Sequence, residues 1–478
     1  MEFNYENSAM RYINHKYRNS EIYSRTLFGQ SILKNPVPVW TADKKRNPYV
    51  TFQDPKTGNI IGLTQDMLSL GMLVVGVPGS GKTNFLNMNL SKILENMNDG
   101  DCIIIFDTKG DYLSEFGERI AKEHKIVIGT GEKYHRITAY HNIFAEIMPR
   151  GKDGKLVYTE DSDVDAMEIS RQLFQLMGSE TQPIFPAMAE QIFCAVLIYY
   201  MRTFWRSDQT KLNNREIIHF FTDNTNEEIK KVLNLKYMQD QKSCIDYIEN
   251  KSNQTQGVNS YIGSVLKKLF IGPFAKSDPS REFSMREVIC GEQKKIIFIE
   301  YDLKRGIVLS PMYAILIDRA LAYALGGRQE VKTNKYFLLD ELLLISDSLQ
   351  HLGDALNFGR SQGVKMMCGI QNISGLENQY GEAGAKNILS SFQNMIVFRL
   401  DDYDTRKFIV NRMGMNYCNY SFSAQQKNLN IQREGYTVED WQLRSLKLGE
   451  AVISLAREAP FLFTIPKYQS NYTRRILI

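Results

Sequence analysis

Two hydrophobic rhythms alternate along the chain. Short apolar runs recur at Met72-Leu73-Val74-Val75, Asp101 to Asp107, Lys125 to Ile128, Lys295 to Tyr301, Tyr336 to Leu339, Met366 to Ile370, Met395 to Arg399 and Glu450 to Ser454. Runs of this length without polar alternation predict strands of a parallel sheet covered by helices on both faces. The longer stretches between them, such as Asn84 to Leu90 and Pro311 to Leu325, predict the crossover helices of βαβ units. From Asp163 to about Leu269 the rhythm changes, and apolar residues fall three and four apart. Examples are Ile169, Leu173, Leu176 and Met177, and later Ile262, Val265, Leu266 and Leu269. That period predicts helices, with Ser252 to Gly257 read as a polar break or cap between two of them. The pattern therefore predicts an α/β chain. A mostly parallel sheet spans 66–150 and 291–478, ending in an extended segment from Pro460 to Pro466, and an all-α insert over 151–290 interrupts it. The first 65 residues form an arm whose order the pattern leaves open.

Composition changes this picture little. A chain of 478 residues has room for two or three domains, and 43% hydrophobic with 23% charged residues is ordinary for a globular protein. The net charge of +4 and pI near 8.5 permit a polyanionic partner without demanding one. Residues 1–50 carry eight Lys or Arg against four acidic residues, an excess of four that equals that of the whole chain. The arm is thus the basic part, read equally as a solvated tail or as a contact for nucleic acid or a membrane surface. The six cysteines show no C-x-x-C pairing and sit mostly in apolar runs, which predicts buried, reduced, cytosolic thiols. No charged leader with an apolar core opens the chain. The most apolar long stretch, Ile184 to Trp205, carries Glu190, Gln191 and Arg202, so neither a signal peptide nor a membrane span is expected.

The chemistry concentrates in four short motifs. Gly76-Val-Pro78-Gly79-Ser80-Gly81-Lys82-Thr83 follows the first strand and opens a helix, which is the context of a phosphate loop. Its glycines let successive N–H groups face phosphate oxygens at the positive end of the helix. Lys82 is expected at the β and γ phosphates and Thr83 on Mg²⁺, with ATP as the nucleotide. Tyr336 to Leu339 ends in Asp340-Glu341: Asp340 is the expected second metal ligand, directly or through water, and Glu341 the base for the attacking water. Ile103 to Asp107 leads into Thr108-Lys109-Gly110-Asp111-Tyr112, where Asp107 or Lys109 serves the phosphates, a subunit boundary or a salt-bridged turn. Met366 to Ile370 ends in Gln371, a γ-phosphate sensor or a helix cap. Upstream, Gly359-Arg360-Ser361-Gln362-Gly363 offers an arginine that could reach a neighbouring subunit's nucleotide.

Taken in order, these motifs resemble those of the coupling proteins of type IV secretion systems, conjugative DNA-transfer ATPases of the FtsK and HerA superfamily. The likeness runs from about residue 60 to 470, with the helical insert where such proteins carry an all-α domain. It implies a RecA-like P-loop NTPase core, Asp107 at the nucleotide, Gln371 as sensor and Arg360 as a finger acting in trans. It further implies a ring, usually a homo-hexamer, that moves DNA, single-stranded in the expected case, and passes DNA or a relaxase–DNA complex to the secretion apparatus. An alternative is a nucleotide-switched receptor for protein substrates that pumps no DNA. Lys267, Lys268 and Lys276 in the insert are either DNA contacts or a solvated face. Members of the family usually begin with two membrane-spanning helices, and none is read here. The expected location is therefore cytoplasmic, peripheral on the inner membrane, with the anchor on a separate protein or outside this chain.

Overall fold

The computed structural model describes residues 21–33, 48–175, 184–249, 253–304, 306–326, 333–345, 349–424, 427–456 and 458–469. Strands are numbered along the chain: β1 (Glu21–Gly29), β2 (Val50–Gln53), β3 (Ile60–Leu63), β4 (Met72–Val75), β5 (Cys102–Asp107), β6 (Lys125–Ile128), β7 (Tyr140–His141) and β8 (Glu282–Phe283). They continue as β9 (Lys295–Glu300), β10 (Lys335–Leu339), β11 (Val364–Ile370), β12 (Asn394–Val397), β13 (Met415–Ala424), β14 (Lys427–Tyr436), β15 (Glu450–Ser454) and β16 (Phe461–Thr464). Nine of them form the central sheet in the order β16-β15-β12-β4-β11-β10-β5-β9-β6. The pairs from β12 to β6 are all parallel, and only β15, against β12 and β16, runs antiparallel.

Side-chain alternation on the pleat sorts the core into two halves. Met72 and Val74, Ile103 and Ile105, Tyr336 and Leu338 face one side, where Phe85, Leu86, Leu90 and Ile93 of the helix Lys82–Asn96 cover them. Leu73 and Val75, Ile104 and Phe106, Phe337 and Leu339 face the other, under the helix Gly306–Leu325. This second half does not stop at the sheet. It runs without a break into the helices Ser162–Gln175, Ile184–Phe204 and Asn253–Leu269, so the insert shares one apolar core with the nucleotide-binding sheet.

Several elements differ from the sequence pattern. The 1–65 stretch is not all arm: β2 and β3 pair antiparallel and bury Val50, Phe52, Ile61 and Leu63 against the helix Lys82–Asn96. Most of the basic residues of 1–50 lie outside the described residues. Asn253 to Gly257 is not a break but the start of a helix, because Thr255 and Val258 lead its buried stripe while Asn253 and Gln256 face out. Ser252, Leu176 and Met177 lie outside the described residues. The crossover helix begins at Gly306, leaving Pro311 in its second turn, where the ring deprives the Ile307 carbonyl of its helical partner. Between β12 and β15 the chain is not simply βα. β13 and β14 form a hairpin, and β1, nearly four hundred residues away, adds a third strand.

Two helices, Ile184–Phe204 and Gly306–Leu325, are long and apolar enough to cross a membrane, and 61% and 67% of their apolar windows are buried within the fold. Five cysteines are buried and unpaired as expected, but Cys290 is exposed at the end of its helix.

Candidate functional site

The phosphate loop, Asp340, Glu341 and Gln371 lie together at the carboxyl ends of the parallel strands, the edge where open α/β sheets bind ligands. β4 ends at Val75. Its loop is held by Gly76 N–H on the Ile370 carbonyl (3.2 Å) and Val77 N–H on the Arg399 carbonyl (3.0 Å), one bond to the strand on each side. Gly81 has φ +126°, a conformation that a side chain at that position would strain. Ser80 Oγ donates to the Val77 carbonyl at 2.7 Å, while Pro78 and Gly79 form the exposed lip. Lys82, buried, folds back to donate to the Gly76 carbonyl at 2.5 Å. Burial pushes its pKa down, against the opposing pull of Glu341 and Asp340.

β10 brings the two carboxylates beside the loop. Thr83 Oγ1 donates to Asp340 Oδ1 at 3.5 Å, so the two expected metal ligands face each other. Asp340 also accepts Thr108 Oγ1 at 3.3 Å, from the turn after β5, and Tyr112 Oη at 3.1 Å, from the start of the helix Asp111–Phe116 that follows it. Gly369 on the adjoining strand makes this packing possible, since a Cβ there would lie 2.1 Å from the Asp340 carbonyl. Glu341 accepts Gln371 Nε2 on Oε2 at 2.7 Å, and its Oε1 is buried with no hydrogen-bond partner. Burial raises the pKa of both carboxyls, which makes Glu341 a better proton acceptor than a surface glutamate. The Gln371 contact thus joins the end of β11 to the end of β10.

The residues fit a nucleoside triphosphate with a divalent cation. A lysine resting on loop carbonyls is a cation awaiting phosphate oxygens, and one hydroxyl with one carboxylate is the donor set Mg²⁺ takes when phosphates and water complete its shell.

Asp107 stands apart from this group. Its carboxylate is fully buried and accepts five backbone amides, those of Lys109, Gly110, Asp111, Tyr112 and Leu113, at 2.8 to 3.4 Å. Both oxygens are therefore committed to the turn, a correction to the expectation of nucleotide contact. What Asp107 does for the site is indirect: it fixes the turn that carries Thr108 and Tyr112 to Asp340. The sequence motif contained both hydroxyls, but nothing in it singled them out.

Arg360 is exposed in a 3-10 turn that precedes β11, at the amino end of the sheet and away from its own phosphate loop. Its side chain makes no hydrogen bond or ion pair among the described residues. It is not part of the site within one subunit. Lys267 and Lys268 lie exposed on the helix Asn253–Leu269. Lys276 lines a cavity of about 400 Å³ with Thr130, just past the end of β6, and with His135, Ile271 and Leu309.

A polar cluster at buried Asp318 joins the chain beyond β10 to the insert. The His351 amide and Nδ1 donate to the two oxygens of buried Asp318, each at 2.8 Å, and Gln172 from the insert donates to the same carboxylate at 2.9 Å. Ten residues after Glu341, the chain is thereby pinned to the insert's helix Ser162–Gln175.

Known proteins share this architecture. The chain superposes on the bacterial conjugative coupling protein TrwBdeltaN70 with a TM-score of 0.70 at 19% identity, covering 94% of this chain and 96% of that one. VirB4 of Thermoanaerobacter pseudethanolicus matches with a TM-score of 0.52 at 13% identity, over 88% of this chain and 96% of the other. In sequence, the coupling protein VirD4 of Bartonella quintana (strain Toulouse) is 28% identical over 127 residues, 27% of this chain and 20% of VirD4. The VirD4 of Bartonella henselae is 27% identical over the same length. The aligned stretch thus spans about a fifth of these relatives. The model of the type IV secretion-system coupling protein DNA-binding domain matches residues 57–441, well over half of the sequence, and the chain belongs to that family.

Proposed function

We propose that this protein is an ATPase of a type IV secretion system that binds DNA or a relaxase–DNA complex and drives it to the transfer apparatus. The observation that carries this reading is the Glu341–Gln371 pair beside Lys82, Thr83 and Asp340: a base held by an amide, within reach of a metal site and a phosphate loop. Lys82 holds the β and γ phosphates of ATP, Thr83 and Asp340 hold Mg²⁺, and Glu341 takes the proton of the attacking water. Gln371 reports the γ phosphate to Glu341, since an amide that binds one can release the other. Solved structures of TrwB with a non-hydrolysable ATP analogue and with ADP and Mg²⁺ support ATP and Mg²⁺ as the ligands.

Assembly in a head-to-tail ring of six gives Arg360 a role, because its place at the opposite end of the sheet suits only a neighbour's nucleotide. Residues 66–150 and 291–478 are the motor, and the insert over 151–290 takes the substrate. The protein works at the cytoplasmic face of the inner membrane. ATP turnover measured with and without single-stranded DNA tests the reading: stimulation of several-fold is expected. No stimulation by any DNA, with nucleotide binding intact, would overturn translocation and leave the nucleotide-switched receptor.

A further inference from the structure

We propose that Lys109 is a second catalytic cation, contacting the γ phosphate from the same subunit as Lys82. This rests on the ATPase reading above and adds a residue to it. Lys109 is exposed at the carboxyl edge of β5, and its ammonium makes no hydrogen bond or ion pair among the described residues. Its backbone is nonetheless fixed, since its own N–H and those of Gly110 and Asp111 all bond to Asp107 Oδ1. The preceding residue, Thr108, touches Asp340, so the lysine emerges one residue beyond the metal ligand's own contact. There its positive charge favours the ionised carboxyls of Asp340 and Glu341 after β10 and the neutral amine of Lys82, a smaller effect in each case than that of burial.

The chemistry calls for a cation there. Two buried carboxylates crowd the site, and the transferring phosphoryl group spreads negative charge over its equatorial oxygens, so within one subunit one buried lysine and one metal ion leave charge unmatched, with Arg360 arriving only from a neighbour. A lysine on a fixed turn and a free side chain meets it with a point charge. The asymmetry with Asp107 is informative: the carboxylate of this motif is consumed in shaping the turn, and what the turn presents to the nucleotide is the lysine.

Binding and turnover of the full chain distinguish this from a solvated lysine. Lys109→Gln should lower affinity for a non-hydrolysable ATP analogue about tenfold, change ADP affinity less than twofold, and lower kcat about 10- to 100-fold, with Lys109→Arg recovering most of each. Thermal melts should match wild type, because only the backbone of residue 109 bonds to Asp107. Unchanged analogue affinity and kcat, equal losses for analogue and ADP, or a lowered melt in both variants would overturn the proposal. Lys82→Ala run alongside separates the two levels. If it still hydrolyses ATP, the site reading fails; if it is dead while Lys109→Gln is normal, only the second cation fails.

Discussion

Asp107 and Asp340 end neighbouring parallel strands, one residue past the paired Phe106 and Leu339, and both are buried with carboxyls raised by burial. Their surroundings make them opposites. Asp107 is saturated by five amides of its own turn, whereas Asp340 receives three hydroxyls from two separate stretches of chain and adjoins the phosphate loop. A strand-end aspartate is thus structural when its own backbone claims it, and available to a ligand when only side chains do.

Substitution should break the pair in different ways. Asp340→Ala is expected to lower Mg²⁺-dependent ATP turnover by about a thousandfold while the protein stays folded. Asp107→Ala should act first on stability, by about 2–4 kcal/mol, because buried amides lose a charged acceptor. Thermal melts and ATPase assays on both variants check this, and equal Tm losses would erase the distinction. A smaller effect is expected from Thr108→Val with Tyr112→Phe, which leave Asp340 its charge but not its orientation: the Mg²⁺ concentration for half-maximal turnover should rise about tenfold.

Glu300, paired with Asp107 across β5 and β9, sharpens the contrast through pH. Burial, then the neighbouring Asp107 charge, raises its carboxyl from 4.5 to about 8, and Tyr134 Oη donates to it at 2.5 Å. A carboxyl that keeps its proton more tightly when folded stabilises the fold fully below pH 4.5, and this contribution is lost as pH rises to about 8. Glu300→Gln, always uncharged, should melt like wild type at pH 5 and be about 1–2 kcal/mol more stable at pH 8.5. Parallel melting curves at the two pH values would contradict it.

Much of this was legible in the sequence, and the rest was hidden for physical reasons. The phosphate loop, Asp340-Glu341 and the parallel strands follow from local spacing, and Glu341 and Gln371 meet because the order of their strands brings their ends together. Asp107 stayed open between the phosphates and a turn, with the resemblance favouring the nucleotide, because a carboxylate at a strand end looks the same whether amides or phosphates await it. The pairing of β1 with β13 depends on residues far apart in the chain, and β13 itself, with its alternating Asn, Tyr and Ser, carries little apolar signal. The shared core of insert and sheet left no trace in periodicity, which marks a buried face without naming what covers it.

Glu341→Gln separates nucleotide binding from hydrolysis. It keeps the size of the side chain and a carbonyl acceptor but removes the base, so equilibrium binding of ATP and steady-state turnover should part company. Nucleotide affinity is expected to stay within about threefold of wild type while kcat falls by about a hundredfold or more. Turnover within a few-fold of wild type, with Lys82→Ala inactive, would contradict the assignment of Glu341 as the base.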